Sequence, residues 1–246
     1  MDDIKLKKSL NKYKLPYHWM RDDLHRDSVL YFGYISLMIN ELPLPPASVL
    51  DAGCGDGRVA FEMVKRRYAV TGLDYLETSI QYAKTMVPEA TFFSGDLRKD
   101  LTVHYNLHAA QFDAVTMVEV YEHIPPDDCP AALANLSTVL RPGGSIIISV
   151  PSKLLPSSDL HYRHFNQDEF KQEIEAAGFK IRKMLFQHSM GRFVNWLLSD
   201  SVERLLNNQW LQPVIIKRLI RSLYMNYANV VSDGGRCGRY IAVAER

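Results

Sequence analysis

Val49-Leu50-Asp51-Ala52-Gly53-Cys54-Gly55-Asp56-Gly57-Arg58 is the stretch on which the reading of this chain turns. Two apolar residues lead into Asp-x-Gly-x-Gly-x-Gly, which predicts a buried strand ending in a turn too tight for side chains. Gly53 and Gly55 can take backbone angles closed to other residues, and they let a ligand come close to the main chain. Arg58-Val59-Ala60-Phe61-Glu62-Met63-Val64 has helical spacing, so a helix N-terminus follows the turn. Strand, glycine turn and helix make the first unit of a nucleotide-binding α/β domain. A dinucleotide fingerprint needs Gly-x-Gly-x-x-Gly. Its third glycine would fall at Arg58, which disfavours a hydride-transferring dehydrogenase.

Further strands follow in order. Ala69–Asp74 is a short apolar strand ending in an acid, where such a fold places the carboxylate that accepts ribose hydroxyls. Ala90–Leu97 is a third, carrying Asp96, and Phe112–Glu119 a fourth. Leu140-Arg141-Pro142-Gly143-Gly144 stops a helix and opens a fifth strand that runs to Val150. Gly53-x-Gly55-x-Gly57 with Asp51 two residues ahead resembles motif I of the class I S-adenosylmethionine-dependent methyltransferases. The Leu-Arg-Pro-Gly-Gly turn is a frequent mark of the same family. The resemblance implies a Rossmann-like, mostly parallel sheet of seven strands with helices on both faces, and methyl transfer from S-adenosylmethionine. It also implies a cofactor site made by Asp51, Gly53, Gly55, Gly57, Asp74, Tyr75, Asp96, Leu97 and Glu119, with Asp96 at the adenine amino group. Acids at strand ends are common in any case, because turns favour Asp. For Asp96 and Asp113 that ordinary reading stands beside the functional one, and an aromatic at the place of Tyr75 is more often plain core than a cofactor contact.

The 246 residues can bury a substantial core and slightly exceed an average single domain. With 23% charged residues and a net charge of +1, the chain lacks the basic surplus of a dedicated nucleic-acid binder. Cys54, Cys129 and Cys237 are odd in number and lack metal-ligand spacing, so they read as reduced thiols of a cytoplasmic protein. No signal peptide or membrane-spanning run is expected.

Residues 1–46 read as an N-terminal helical arm over the cofactor, in which Tyr17, Trp19 and Tyr31 are either lid residues or anchors of the arm. A helix over Val29–Ile39 should end before Pro43-Leu44-Pro45-Pro46. Residues 47–187 form the cofactor-binding core, 188–237 a helical insertion, and 238–246 the last strand. The insertion is far longer than a usual connection. It holds two helical patterns, Phe193–Leu206 and Val214–Tyr224, the second basic and amphipathic through Lys217, Arg218 and Arg221. That pattern is compatible with one packed and one solvated face, a homodimer face, a cover for substrate, or peripheral contact with the inner face of a membrane. The architecture is similar to bacterial methyltransferases that modify surface glycans or lipid-linked intermediates.

Chemistry is expected just past strands four and five. There lie Glu119-Val120-Tyr121-Glu122-His123 and His161-Tyr162-Arg163-His164. Displacement at a sulfonium methyl requires alignment and, for a hydroxyl acceptor, a base. His123 is the first choice for that base and His164 the second, with Glu122 orienting either; Tyr17, Trp19, His161 and Arg163 are the substrate candidates. Glu119-x-x-Glu122-His123 with a later histidine also resembles a metal-binding pattern of small-RNA 2′-O-methyltransferases and ubiquinone-pathway O-methyltransferases. On that reading Glu119, Glu122, His123 and His164 would hold a divalent ion. The acceptor expected is a small, glycan-like or lipid-linked hydroxyl. The alternatives are the metal-assisted O-methyltransferase and a non-catalytic S-adenosylmethionine-binding regulator. The intact loop glycines, Asp74, Glu122 and His123 favour an enzyme.

Overall fold

The apolar run before the glycine turn forms β1 (Ser48–Ala52), in which Val49 through Ala52 are all buried. Burial on both faces is the condition of a central parallel strand, so its sequence is continuously apolar rather than alternating. The computed structural model describes residues 3–12, 14–20, 26–188 and 237–246, together with Ser222. Within these, β2 (Ala69–Asp74), β3 (Thr91–Ser94), β4 (Phe112–Val118), β5 (Leu140–Pro151), β6 (Lys180–His188) and β7 (Cys237–Glu245) complete one sheet. Its order is β3-β2-β1-β4-β5-β7-β6. β7 runs antiparallel to both its neighbours, and the other pairs are parallel.

Successive residues of the strands feed opposite layers. Leu50, Val115 and Ile148 join one cluster with Leu136, Phe170 and Ile174. Val49, Ala114 and Ile147 join the other with Met38, Met63 and Ile80. The helices behind the first layer are α5 (Leu101–His104), α6 (Cys129–Val139) and α7 (Gln167–Ala176); α2 (Arg26–Ile39), α3 (Arg58–Val64) and α4 (Glu77–Met86) cover the second. α7 starts where Asn166 and Glu169 form a reciprocal capping box, each side chain bonding the other's backbone N–H. α2 stops at Ile39, before the prolines, because Glu41 and Leu42 already turn back onto Met38 and Ile39.

The sheet order reverses between β1 and β4, and a cleft opens at the carboxyl ends of those strands. The arm reaches this cleft at both sides. α1 (Asp3–Lys12) places Lys5 Nζ on the carbonyls of Asp159 and His161 at 3.2 and 2.7 Å, and pairs Lys8 with Asp159 at 2.7 Å. Residues 14–20 fasten to the glycine loop instead: the His18 N–H donates to Asp56 Oδ2 and Trp19 Nε1 to the Asp56 carbonyl, both at 2.9 Å.

The expected strands are present within one to three residues at their ends. The insertion expected over 188–237, including both of its helical patterns and its surface or dimer roles, lies outside the described residues apart from its flanks. Among the described residues, no helix is long and apolar enough to cross a membrane.

Candidate active site

The glycine loop is built so that backbone, not side chains, faces the cleft. The Gly53 and Cys54 N–H groups both donate to the Leu73 carbonyl, at 2.7 and 3.0 Å, which folds the loop over the end of β2. Gly53, Gly55 and Gly57 have φ of +81°, +53° and +81°, a region costly for residues with a Cβ. A Cβ on Gly55 would meet nothing within 4 Å, because the space before it is the cleft itself. Gly57 has another role: it precedes α3 and packs against Ala83, away from the cleft wall.

Asp74 is fixed by the same loop. Its carboxylate accepts from Gly55 N at 2.9 Å and from Leu76 N at 2.8 Å while lining the cleft. Burial pushes its pKa up, and those two N–H groups hold it down against that push. Each oxygen retains acceptor capacity for a diol. Tyr75, Asp96 and Leu97 line the cleft as expected. Asp96 is gripped by Arg98, whose Nη2 lies at 2.7 Å and Nε at 2.8 Å. Burial opposes its ionisation, but Arg98 outweighs burial and the net shift is downward.

Asp51 departs from its expected place. It is buried beneath the loop, off the cleft wall, and accepts the Thr116 hydroxyl at 3.0 Å. Burial raises its pKa to about 7, with Asp74 adding repulsion and Thr116 opposing. An unfolded Asp titrates near 3.8, so between those values the folded chain keeps a proton that the unfolded chain has released. Stability therefore falls as pH rises through that window and stays lowered above it. Asp51→Asn keeps an acceptor for Thr116 without the charge. It should raise the melting temperature at pH 8, with the gain fading toward pH 4; an equal difference at both pH values would refute the linkage.

Past β4 the chain is strained. Glu119 takes φ +54°, held there by the Ser149 hydroxyl, which accepts from its N–H and donates to its carboxylate, both at 3.1 Å. Its other oxygen pairs with Arg239 Nε at 2.9 Å. Burial works against the Arg239 charge, but Glu119 and Glu122 keep its pKa raised. Glu119 is thus held in an ion pair, and it is not among the donors that lie together at the cleft. Glu122 is fully buried and, with His123 and His161, lines the cleft. One donor atom from each of these three lies within 4.8 Å of the others. His123 Nδ1 lies 3.1 Å from the Leu160 carbonyl, and its ring meets His161 edge to face at 4.7 Å.

The histidine expected as a second base or ligand, His164, stands behind His161, off the main cleft, with its Nε2 2.8 Å from His161 Nδ1. His161, expected only as a substrate contact, occupies the central place. Arg163 is turned away as well, forked onto Glu173 at 2.5 and 2.6 Å beside Tyr121. Tyr17 lines the cleft. Trp19 does not; it packs on Phe61 and under Arg58 as an anchor of the arm. Tyr31 does both, lining the cleft and stacking on His18. Sequence reasoning passed over Arg239, His18 and Arg98. Only Asp56, inside the glycine motif, offered a sign of what the arm would grasp.

Residues 49–144 match the model of a methyltransferase domain. That segment spans β1, the glycine loop, Asp74, Asp96 and the Glu119–His123 turn. The sheet order and the helices on both faces are those of the class I methyltransferase fold. The ubiquinone biosynthesis O-methyltransferase of Escherichia fergusonii is 35% identical over 127 residues, 51% of each chain. The chain thus spans about half the length of the curated relatives it matches. Among solved structures, the methyltransferase domain and its flanks resemble the Burkholderia thailandensis 1,6-didemethyltoxoflavin-N1-methyltransferase with bound S-adenosylhomocysteine. The TM-score is 0.62 at 18% identity, over 99% of this chain and 88% of that one. The [4+2]-cyclase SpnF is similar too, with TM-score 0.60 and 19% identity over 87% and 79% of the two chains. A cyclase on this fold means that activity must be argued from the side chains of the methyltransferase domain, not from its topology.

Those side chains fit S-adenosylmethionine. The cleft has a volume of about 400 Å³, within the usual range for small-molecule sites. The open space before Gly55 admits a ligand against the backbone, and Asp74 offers paired oxygens for a ribose.

Proposed function

We propose that this chain transfers the methyl group of S-adenosylmethionine to the hydroxyl of a small, glycan-like or lipid-linked acceptor. The observation that carries the reading is that the glycine loop with Asp74 and the Glu122–His123–His161 cluster open into one cleft. The cofactor supplies an electrophilic methyl on a sulfonium. Asp74 and the loop backbone hold its nucleoside end, Asp96 and Leu97 flank the base, and the buried acids offset its positive charge. The Leu160 carbonyl can only accept a hydrogen bond, so a neutral His123 carries its proton on Nδ1 and its lone pair on Nε2. That nitrogen takes the acceptor proton as the oxygen attacks. Tyr17, Tyr31, Phe32 and Tyr34 give the cleft an aromatic wall suited to a ring-shaped acceptor. Relatives named as O-methyltransferases support an oxygen acceptor.

Asp74→Ala should weaken S-adenosylmethionine binding by roughly 1.5–3 kcal/mol, the scale of a charge-assisted hydrogen bond. Calorimetric titration reads this directly, and an unchanged affinity would remove the ribose assignment. A metal-assisted variant of the reaction is favoured by one observation, the closeness of three donors from Glu122, His123 and His161. In that variant the three would hold a divalent ion, which would supply Lewis-acid activation of the acceptor hydroxyl.

A further inference from the structure

His161-x-x-His164 brings two imidazoles together, and the groups around them decide where each proton sits. His164 Nδ1 lies 3.2 Å from the Leu155 carbonyl. A carbonyl cannot donate, so a neutral His164 carries its proton on Nδ1 and presents Nε2 as an acceptor. That Nε2 is 2.8 Å from His161 Nδ1, which must then be the donor. The proton of His161 is thereby placed on Nδ1 and its lone pair on Nε2. The Leu160 carbonyl imposes the same tautomer on His123. Two rings, both carrying the lone pair on Nε2, thus stand beside the buried carboxylate of Glu122.

We infer that His164 is a positioning residue: it holds His161 in the Nδ1–H tautomer, so that His161 Nε2 acts with Glu122 and His123 as a three-donor set for a divalent cation. The inference rests on the metal-assisted variant of the proposed reaction. The donor chemistry fits, since one carboxylate and two imidazoles suit a first-row divalent ion. Ligands bound at about 2.1 Å sit about 3 Å apart when adjacent. One donor atom from each of the three residues already lies within 4.8 Å of the others, so side-chain adjustment can close the set on an ion. A ligating histidine is characteristically fixed through its other nitrogen by an outer partner. For His161 that partner is a second imidazole rather than a carboxylate. Lys5 bonds the His161 carbonyl at 2.7 Å, which fixes the backbone beneath the ring.

The test uses the full chain and Mn²⁺ as probe, with two readouts. Nitrogen NMR of the imidazoles reports the tautomer of His161, and calorimetry reports Mn²⁺ affinity. The expected wild-type result is an Nδ1–H tautomer at His161 and measurable Mn²⁺ binding that His161→Ala abolishes. His164→Phe should release the tautomer and weaken Mn²⁺ by about 10–100-fold. His164→Gln, whose amide oxygen can accept the same N–H, should stay within a few-fold of wild type. An Nε2–H tautomer in the wild type, absence of Mn²⁺ binding, or equal affinity in His164→Phe would each overturn the inference. So would an equal loss in His164→Gln, since the effect would then not be the hydrogen bond. If His164→Phe fails to fold, the wild-type tautomer and the His164→Gln titration still decide. S-adenosylmethionine titration of the same samples separates the two levels: intact binding without Mn²⁺ binding removes the cation set alone, whereas no cofactor binding in the wild type counts against the proposed function.

Discussion

His123→Ala is expected to leave S-adenosylmethionine affinity unchanged and to lower turnover by about 100-fold or more, the usual scale for loss of a positioned base. The two halves of this prediction come from different parts of the cleft. In the proposed site the loop and Asp74, rather than His123, hold the donor, so titration should not register the change. Turnover should, because the Nδ1 bond to Leu160 is what reserves Nε2 for the acceptor proton. Single-turnover methyl transfer on an acceptor found by screening is the measurement. Near-normal rates would hand the proton to His161. Loss of donor affinity would instead show that the ring supports the cofactor side of the cleft.

The loop glycines should separate into two classes. At Gly53 an added Cβ would lie 2.3 Å from Val120 Cγ2, with φ at +81°. Left-handed strain of about 1–2 kcal/mol adds to overpacking of about 1–3 kcal/mol. Gly53→Ala should therefore destabilise the fold by about 2–5 kcal/mol and displace Val120, the residue between Glu119 and Tyr121, so that donor binding is lost as well. At Gly55 nothing lies within 4 Å of the same atom, and the backbone angle is the only penalty to stability. Gly55→Ala should melt within about 1–2 kcal/mol of wild type yet bind S-adenosylmethionine much more weakly, because the methyl fills the donor's space. Chemical denaturation beside calorimetry distinguishes the two. If Gly55→Ala bound normally, the donor would not lie against this loop.

The half of the cleft proposed for the donor was legible as structure, because a short motif encodes its turn locally. Glycine spacing fixes the turn, the next strand end fixes Asp74, and both follow from chain periodicity. The acceptor half was not, because its residues come from loops whose direction no periodicity sets. His161 and His164 are three residues apart, and only the turns between Ser152 and Phe165 decide which faces the cleft. Arg163 carries a charge that reads as a substrate contact, but Glu173 on α7 claims it. Asp51 belongs to the motif and still lies beneath it, since a strand residue before the turn points into the sheet. Arg239 was invisible for a different reason: it follows a long insertion, and nothing local marks its reach to Glu119.

His188 and Cys237 stand opposite each other in the ladder of β6 and β7. The chain leaves the sheet and returns to it at neighbouring points. A segment closed at its base in this way can be lengthened, shortened or exchanged at small entropic cost to the rest of the chain. Arg239 is two residues beyond that junction and pairs with Glu119 in the cleft. The register of this antiparallel pair therefore sets where the Arg239 guanidinium enters the cleft, and a slip at the junction would be felt at Glu119.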